Sequence, residues 1–195
     1  MKSVFAALAA VILLPWTSYA QMYDIDSAHT RVGFEIGHLG ISTVRGQFGE
    51  FSGSFKFDEK KPSNSMAVAE INVGSIDTNN DKRDTHLRSE EFFNSQKFPV
   101  MKFKSTEVQK VGDGHLKVKG DLTIGNVTKP VTLDTQLKGK VTDPWGNERV
   151  GFKATTKLDR RDYGLTWSKL LETGGLVVDN EVTVLIDVEG IAQKS

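Results

Sequence analysis

The chain has 195 residues, with 25 lysines and arginines set against 25 aspartates and glutamates, and no cysteine. Near-neutrality argues against general nucleic-acid binding, which relies on a surplus of cations facing phosphates. The missing cysteine excludes disulfide staples, thiol catalysis and cysteine-ligated metals together, so apolar burial and the backbone ladder must hold the fold.

Residues 1–20 read as a secretory signal peptide. Lys2 supplies the positive start and Val4 to Leu14 an unbroken apolar run; Ser18 and Ala20 then flank Tyr19 as small residues of a cleavage site. A membrane span needs about 20 apolar residues, and this run is far shorter. Cleavage is expected after Ala20, leaving an exported domain over 21–195 with 24 basic and 25 acidic residues, net −1.

Beyond Gln21 the governing pattern is alternation with a period of two, the mark of strands that bury one face. Val32, Phe34, Ile36 and His38 share one parity, against Arg31, Glu35 and Gly37. Phe51, Phe55 and Phe57 share another, and Phe48 falls out of step with them, so Gly49-Glu50 predicts a bulge that bends a long strand. Lys60 to Ser65 is a polar loop.

The rhythm breaks after Thr78. Asn80 to Ser89 is polar, free of glycine and proline, and opens on Asn and Asp cap candidates, which predicts a short helix ending near Phe92-Phe93. The aromatic pair would pin it at a barrel mouth. Phe98-Pro99 returns the chain to a strand.

Turn chemistry then divides the remaining runs. Gly112-Asp113-Gly114 and Gly125-Asn126 are hairpin signals, and Asp143-Pro144-Trp145-Gly146 is a β-turn. Between and after them Leu116, Val118, Leu122 and Ile124 alternate with polar partners, as do Val131, Leu133, Leu137 and Val141. Val150, Phe152, Ala154 and Leu158 follow, then Val182 to Val188. Long bent antiparallel strands of this kind close into barrels or fold over into sandwiches.

Residues able to carry chemistry are few. His29, His38, His86 and His115 show no local metal spacing. His38 falls on an apolar face; a core histidine bonded to backbone is the commoner meaning of that, a polar handle in a ligand cavity the sharper one. Asp77, Asn79 and Asp81 imitate half of a calcium loop, but Lys82 and Arg88 stand where glycine and a bidentate glutamate are required. Asn126-Val127-Thr128 is a glycosylation sequon better explained as a hairpin. Asp159, Arg160, Arg161 and Asp162 form a charged knot, ordinarily a surface ion-pair cluster, the alternative being a barrel-rim arginine that meets a ligand's anionic head. Nucleophile-elbow, phosphate-loop and dinucleotide motifs are absent.

The ordered motifs resemble those of the YceI-like, lipocalin-like polyisoprenoid-binding proteins. The matching pieces begin with Tyr23-Asp24-Ile25-Asp26 and His29, Val32-Gly33-Phe34, His38-Leu39-Gly40 and Gly46-Gln47-Phe48. Ser75-Ile76-Asp77-Thr78, Arg83-Asp84, His86-Leu87-Arg88-Ser89, Phe92-Phe93 and Phe98-Pro99 follow. Phe103 with Ser105, Gly120-Asp121-Leu122-Thr123, Val127 to Val131, Arg161-Asp162-Tyr163-Gly164 and the closing run Asp179 to Val188 complete the likeness.

The resemblance implies an all-β fold, an extended eight-stranded antiparallel lipocalin-like barrel with a short helix at one end. It also implies a periplasmic carrier that sequesters a polyisoprenoid, or a similar amphiphile such as an isoprenoid quinone or fatty acid derivative. Inward residues Phe34, Ile36, His38, Phe55, Phe57, Phe103, Leu122, Phe152 and Leu158 are expected to line the tunnel, and Ala69 and Ala154 to leave it open. Arg83, His86 and Arg88 are candidates for the mouth and head group, or anchors of the helix. No catalytic residue, cofactor or metal is expected. The expected partner is the lipid, with no nucleic acid and no membrane span; a homodimer is one open oligomeric state. The alternatives are an enzyme acting on such a lipid, with His38 or His86 as base, and a packed barrel serving as an interaction module.

Overall fold

The structure, a computed structural model, describes residues 20–170 and 175–194. The expected signal peptide, apart from Ala20, lies outside the described residues. The alternating runs become eleven antiparallel strands that occupy eight positions around a closed barrel.

The first three positions are each made of two collinear strands. β1 (Gln21–Ile25) and β2 (Arg31–His38) both lie along β11 (Val178–Ala192), with Tyr23 opposite Ala192 and Phe34 opposite Val184. β3 (Ser42–Phe48) pairs with β2, and β4 (Phe51–Phe57) with β1. β5 (Met66–Asn72) pairs with β4, and the short β6 (Ile76–Asp77) with β3. β7 (Val100–Gly112), β8 (His115–Ile124), β9 (Val127–Thr142) and β10 (Glu148–Asp159) carry the meander round to β11, and the β1–β11 pairing closes it. Closure leaves the sheet without the two free edges an open one would have.

The interruptions lie side by side. Asp26–Thr30, Gly49–Glu50 and the 3-10 turn Val73–Ser75 form a crease across three neighbouring positions, where the backbone of Gly49 donates to the Ser75 carbonyl at 3.1 Å. The predicted break at Gly49-Glu50 is therefore one third of a shared bend. It lets Phe48 and Phe51, which differ in parity, both face the interior.

Helix α1 (Asp81–Arg88) begins where the caps predict: the Asn80 side chain accepts from the backbone N–H of Arg83 at 3.0 Å. It stops before Phe92-Phe93. Ser89 bonds the His86 carbonyl through both its backbone and its hydroxyl, and the chain then turns through Asn94 at φ 47°. The polar loop 60–65 contains a 3-10 turn, Pro62–Asn64. Val141, grouped with the inward residues by parity, is 62% exposed. A register shift opposite Gly151/Phe152 inserts an extra residue between Leu137 and Gly139, and every side chain beyond it changes face.

That reversal turns Lys140 toward Glu148 (2.9 Å), which also accepts from the fully buried Tyr23 hydroxyl at 2.5 Å. The three groups cap the interior at one end. Behind them Tyr23 stacks on Phe55 at 5.2 Å, and Phe152 meets the edges of Phe55 and Phe57 at 5.7 and 5.0 Å. With Val108, Leu116, Val118 and Val150 they fill this half of the barrel as a solid core.

Candidate functional site

The other half is hollow. Inward side chains of β2, β5, β7, β8, β10 and β11 surround a cavity of about 620 Å³, within the range of roughly 300–1,000 Å³ typical of small-molecule sites. Its floor is Ile25, Phe103, Leu133 and Val188, which pack on the solid core beneath. Its wall includes Val32, Phe34, Ile36, Phe48, Ile71, Met101, Leu122, Val184 and Ile186.

Two glycines help keep the lumen open. A Cβ on Gly46 would stand 2.3 Å from the Phe34 ring, and one on Gly120 would stand 2.5 Å from the Phe103 ring. Each ring thus lies over a bare backbone position on a neighbouring strand rather than extending freely into the lumen.

The mouth is built by α1 and by the segment after the 3-10 turn Arg160–Tyr163. Three contacts anchor the helix. Arg88 donates to the carbonyls of Gly74 and Ile76 at 3.3 and 3.2 Å. Arg83 donates to the Thr78 hydroxyl and carbonyl, both at 2.7 Å. The buried Asp84 carboxylate accepts from the Thr78 backbone N–H at 3.1 Å and from its hydroxyl. Across the opening, His86 meets Phe92 and Trp167 edge-on at 4.9 and 5.3 Å, while Phe92 and Trp167 lie 5.1 Å apart. Glu91 holds the other edge of the His86 ring at 2.5 Å. No carboxylate beside either candidate histidine could be placed from the sequence; the turn after α1 brings this one in.

Among the described residues Arg160 is the one buried cation at the cavity, 3% exposed. Its guanidinium donates to the carbonyls of Asp179, Leu165 and Trp167 and to the Asn180 side chain. Burial pulls its pKa down, against the pull of Asp159 upward. The charged knot seen in sequence thus splits: Arg161 pairs with Asp159 at the surface, and Arg160 ties down the loop that carries Trp167.

Of the residues expected to line a tunnel, Phe34, Ile36, His38, Ala69, Phe103, Leu122 and Leu158 stand in the cavity wall, with Arg83 and His86 at its rim. Phe55, Phe57 and Phe152 stand in the packed half instead, and Ala154 is buried on β10 opposite Thr135 and Ile186, off the wall. Arg88 faces the anchoring side of α1 rather than the cavity. Trp167, Leu165 and Tyr163 were missed as wall residues; they follow a strand end in a stretch without periodicity, and only the Arg161-Asp162-Tyr163-Gly164 motif marked the region.

Among the described residues one group could offer metal ligands, Asp26, His29 and Glu189. Arg149 already occupies it, donating to Asp26 at 2.7 Å, Glu189 at 2.6 Å and the nearby Asp143 at 2.7 Å. A cation there has a covalently attached competitor.

Residues 23–190 match the YceI-like domain family. Protein YceI of Salmonella arizonae is 44% identical over 189 residues, 96% of this chain and 95% of the relative. Among solved structures, the YceI protein of Campylobacter jejuni aligns with a TM-score of 0.71 at 32% identity, covering 87% of this chain and 96% of the other. A polyisoprenoid-binding domain from Saccharophagus degradans aligns at 0.64 and 16% identity, over 90% of this chain and all of the other, a likeness of fold.

Proposed function

This chain belongs to the YceI-like family, and on that premise we propose that it is an exported carrier that sequesters a polyisoprenoid or similar long-chain amphiphile in its barrel. The observation that carries the reading is the half-hollow interior: a cavity walled mainly by aliphatic and aromatic side chains, with its polar groups gathered at α1 and otherwise few, among them His38, Thr156 and Arg160. A tail entering it gains about 0.8 kcal/mol for each CH₂-sized unit removed from water, so affinity can accumulate with no bond being made or broken. The polyisoprenoid-binding description of the Saccharophagus relative and the signal-like residues 1–20 support cargo class and address.

The test is native mass spectrometry of the protein purified from its own host. The expected result is a mature chain beginning at Gln21 with a lipid bound, the lipid being lost in Ala69→Trp, whose indole would fill the lumen. Circular dichroism of the variant checks that the barrel persists. A lipid-free wild type that also takes up no added isoprenoid overturns the reading.

A further inference from the structure

The ladder between β9 and β10 ends at Asp134 opposite Thr155, although both strands continue. β9 runs on toward Val127 fully paired with β8, and β10 runs on to Asp159 fully paired with β11. Between them the wall has a seam. A surface groove follows it, lined by Lys129 to Thr132 on one side and Thr156 to Asp159 on the other, with Asp162 and Tyr163. Val131, Thr156, Leu158 and Tyr163 line this groove and the inner cavity alike, so these four residues are the partition between lumen and outside. Pro130 sits on the β9 side of the seam; proline lacks a donor N–H and within sheets is confined to edges, which suits a stretch with no partner there.

What covers the seam is the 3-10 turn Arg160–Tyr163, which packs against β9, β10 and β11. Its two ends are held differently. Arg160 is fastened through four hydrogen bonds. Tyr163 is 5% exposed, and among the described residues its buried hydroxyl has no hydrogen-bond partner. Gly164 follows at φ 77°, a left-handed position that can serve as a pivot. A buried hydroxyl without a partner is a cost to the closed state, and water satisfies it as soon as the ring swings out.

We propose that the β9–β10 seam is a lateral portal of the lipid cavity, gated by the Arg160–Tyr163 turn, through which an amphiphile's tail enters and leaves sideways. The inference rests on the carrier reading above. It adds a route that the mouth between α1 and Trp167 does not provide. A long tail passing through a side slit need not be threaded end-on past the His86–Phe92–Trp167 cluster. The Tyr163 end is held by burial of its ring and by backbone bonds, and among the described residues its side chain has no hydrogen bond to break on opening, unlike Arg160 with four.

The absence of native cysteine makes the test direct. Thr132→Cys with Lys157→Cys places two thiols across the seam, to be joined by oxidation or, where the gap is wider, by a short bis-maleimide. His86→Cys with Trp167→Cys does the same across the mouth. Stopped-flow uptake and release of cis-parinaric acid is followed in each. The seam cross-link is expected to slow both rates about tenfold or more with little change in Kd, reversibly for the disulfide, while the mouth cross-link leaves exchange faster than the seam cross-link does. Tyr163→Phe, which removes the unpartnered hydroxyl, is expected to slow exchange and to leave Tm equal or higher. Unchanged rates in the seam-linked protein, or a lowered Tm with unchanged rates in Tyr163→Phe, overturn the portal. Wild type that binds no parinaric acid or isoprenoid at all overturns the carrier reading itself.

Discussion

Phe34 and Gly46 face one another across β2 and β3, and the ring of Phe34 occupies the space that any side chain at position 46 would need. The missing Cβ is what lets a large ring share the wall without crowding the lumen. Gly46→Ala is expected to push the ring inward, toward the cavity, and also to press on Thr78, costing about 1–3 kcal/mol as overpacking does. Urea denaturation should show that loss, and titration with cis-parinaric acid should show weaker binding. Unaltered affinity would mean that the ring position does not shape the site.

The division into a solid and a hollow half predicts opposite mutational profiles. Phe152 meets two other rings in the packed half, so Phe152→Ala should cost about 3–5 kcal/mol while leaving lipid affinity nearly intact. Leu122 already borders open space, so Leu122→Ala should cost nearer the lower end for its type, about 2 kcal/mol, and change affinity more than Phe152→Ala does. Equal stability losses with equal affinity changes would contradict the division.

Asp84 pins α1, since its carboxylate satisfies both the N–H and the hydroxyl of Thr78 in a buried setting. Asp84→Ala leaves those donors without that acceptor, a loss of about 1–3 kcal/mol. Hydrogen exchange should locate it: amides of Asp81–Arg88 should exchange faster while those of β9–β11 stay protected. Uniform acceleration over the whole chain would instead mark Asp84 as a determinant of global stability.

Acid should undo the cluster around Arg149. Its guanidinium, hydrogen-bonded to both, holds the carboxyls of Asp26 and Asp143 below the ordinary aspartate range. Groups whose pKa is lower folded than unfolded stabilise the fold above the unfolded value, about 3.9 for Asp, and that contribution is lost progressively as pH falls through and below it. Tm measured from pH 7 down to about 2 should fall along that limb. In Asp143→Asn the fall should be shallower, from a lower plateau at neutral pH. An unchanged slope would remove the cluster from the acid response.

Much of this was legible beforehand. Alternation located β2, β4 and β8 to β11 but not β3, β5, β6 or β7, the Phe48–Phe51 parity change marked the bend, and Asn80 marked the start of α1. What misled was local: Val141 follows an inserted residue that alternation alone does not register. Trp167 reaches the mouth because Arg160 binds its carbonyl, a contact between a strand end and a loop with no repeating pattern to announce it.

The sequence by itself determined the class of fold and the inward or outward sense of most side chains, because a period of two is a property of each strand alone. Only the tertiary structure decided which inward residues touch one another and which face space. That depends on what stands across the barrel, and it joins residues remote in the chain, such as Tyr23 to Glu148 and Arg149 to Asp26, 125 and 123 positions apart. Phe34 and Phe152 carry the same side chain at the same kind of position. Phe34 meets one ring, a glycine and open lumen; Phe152 meets two rings inside the packed half.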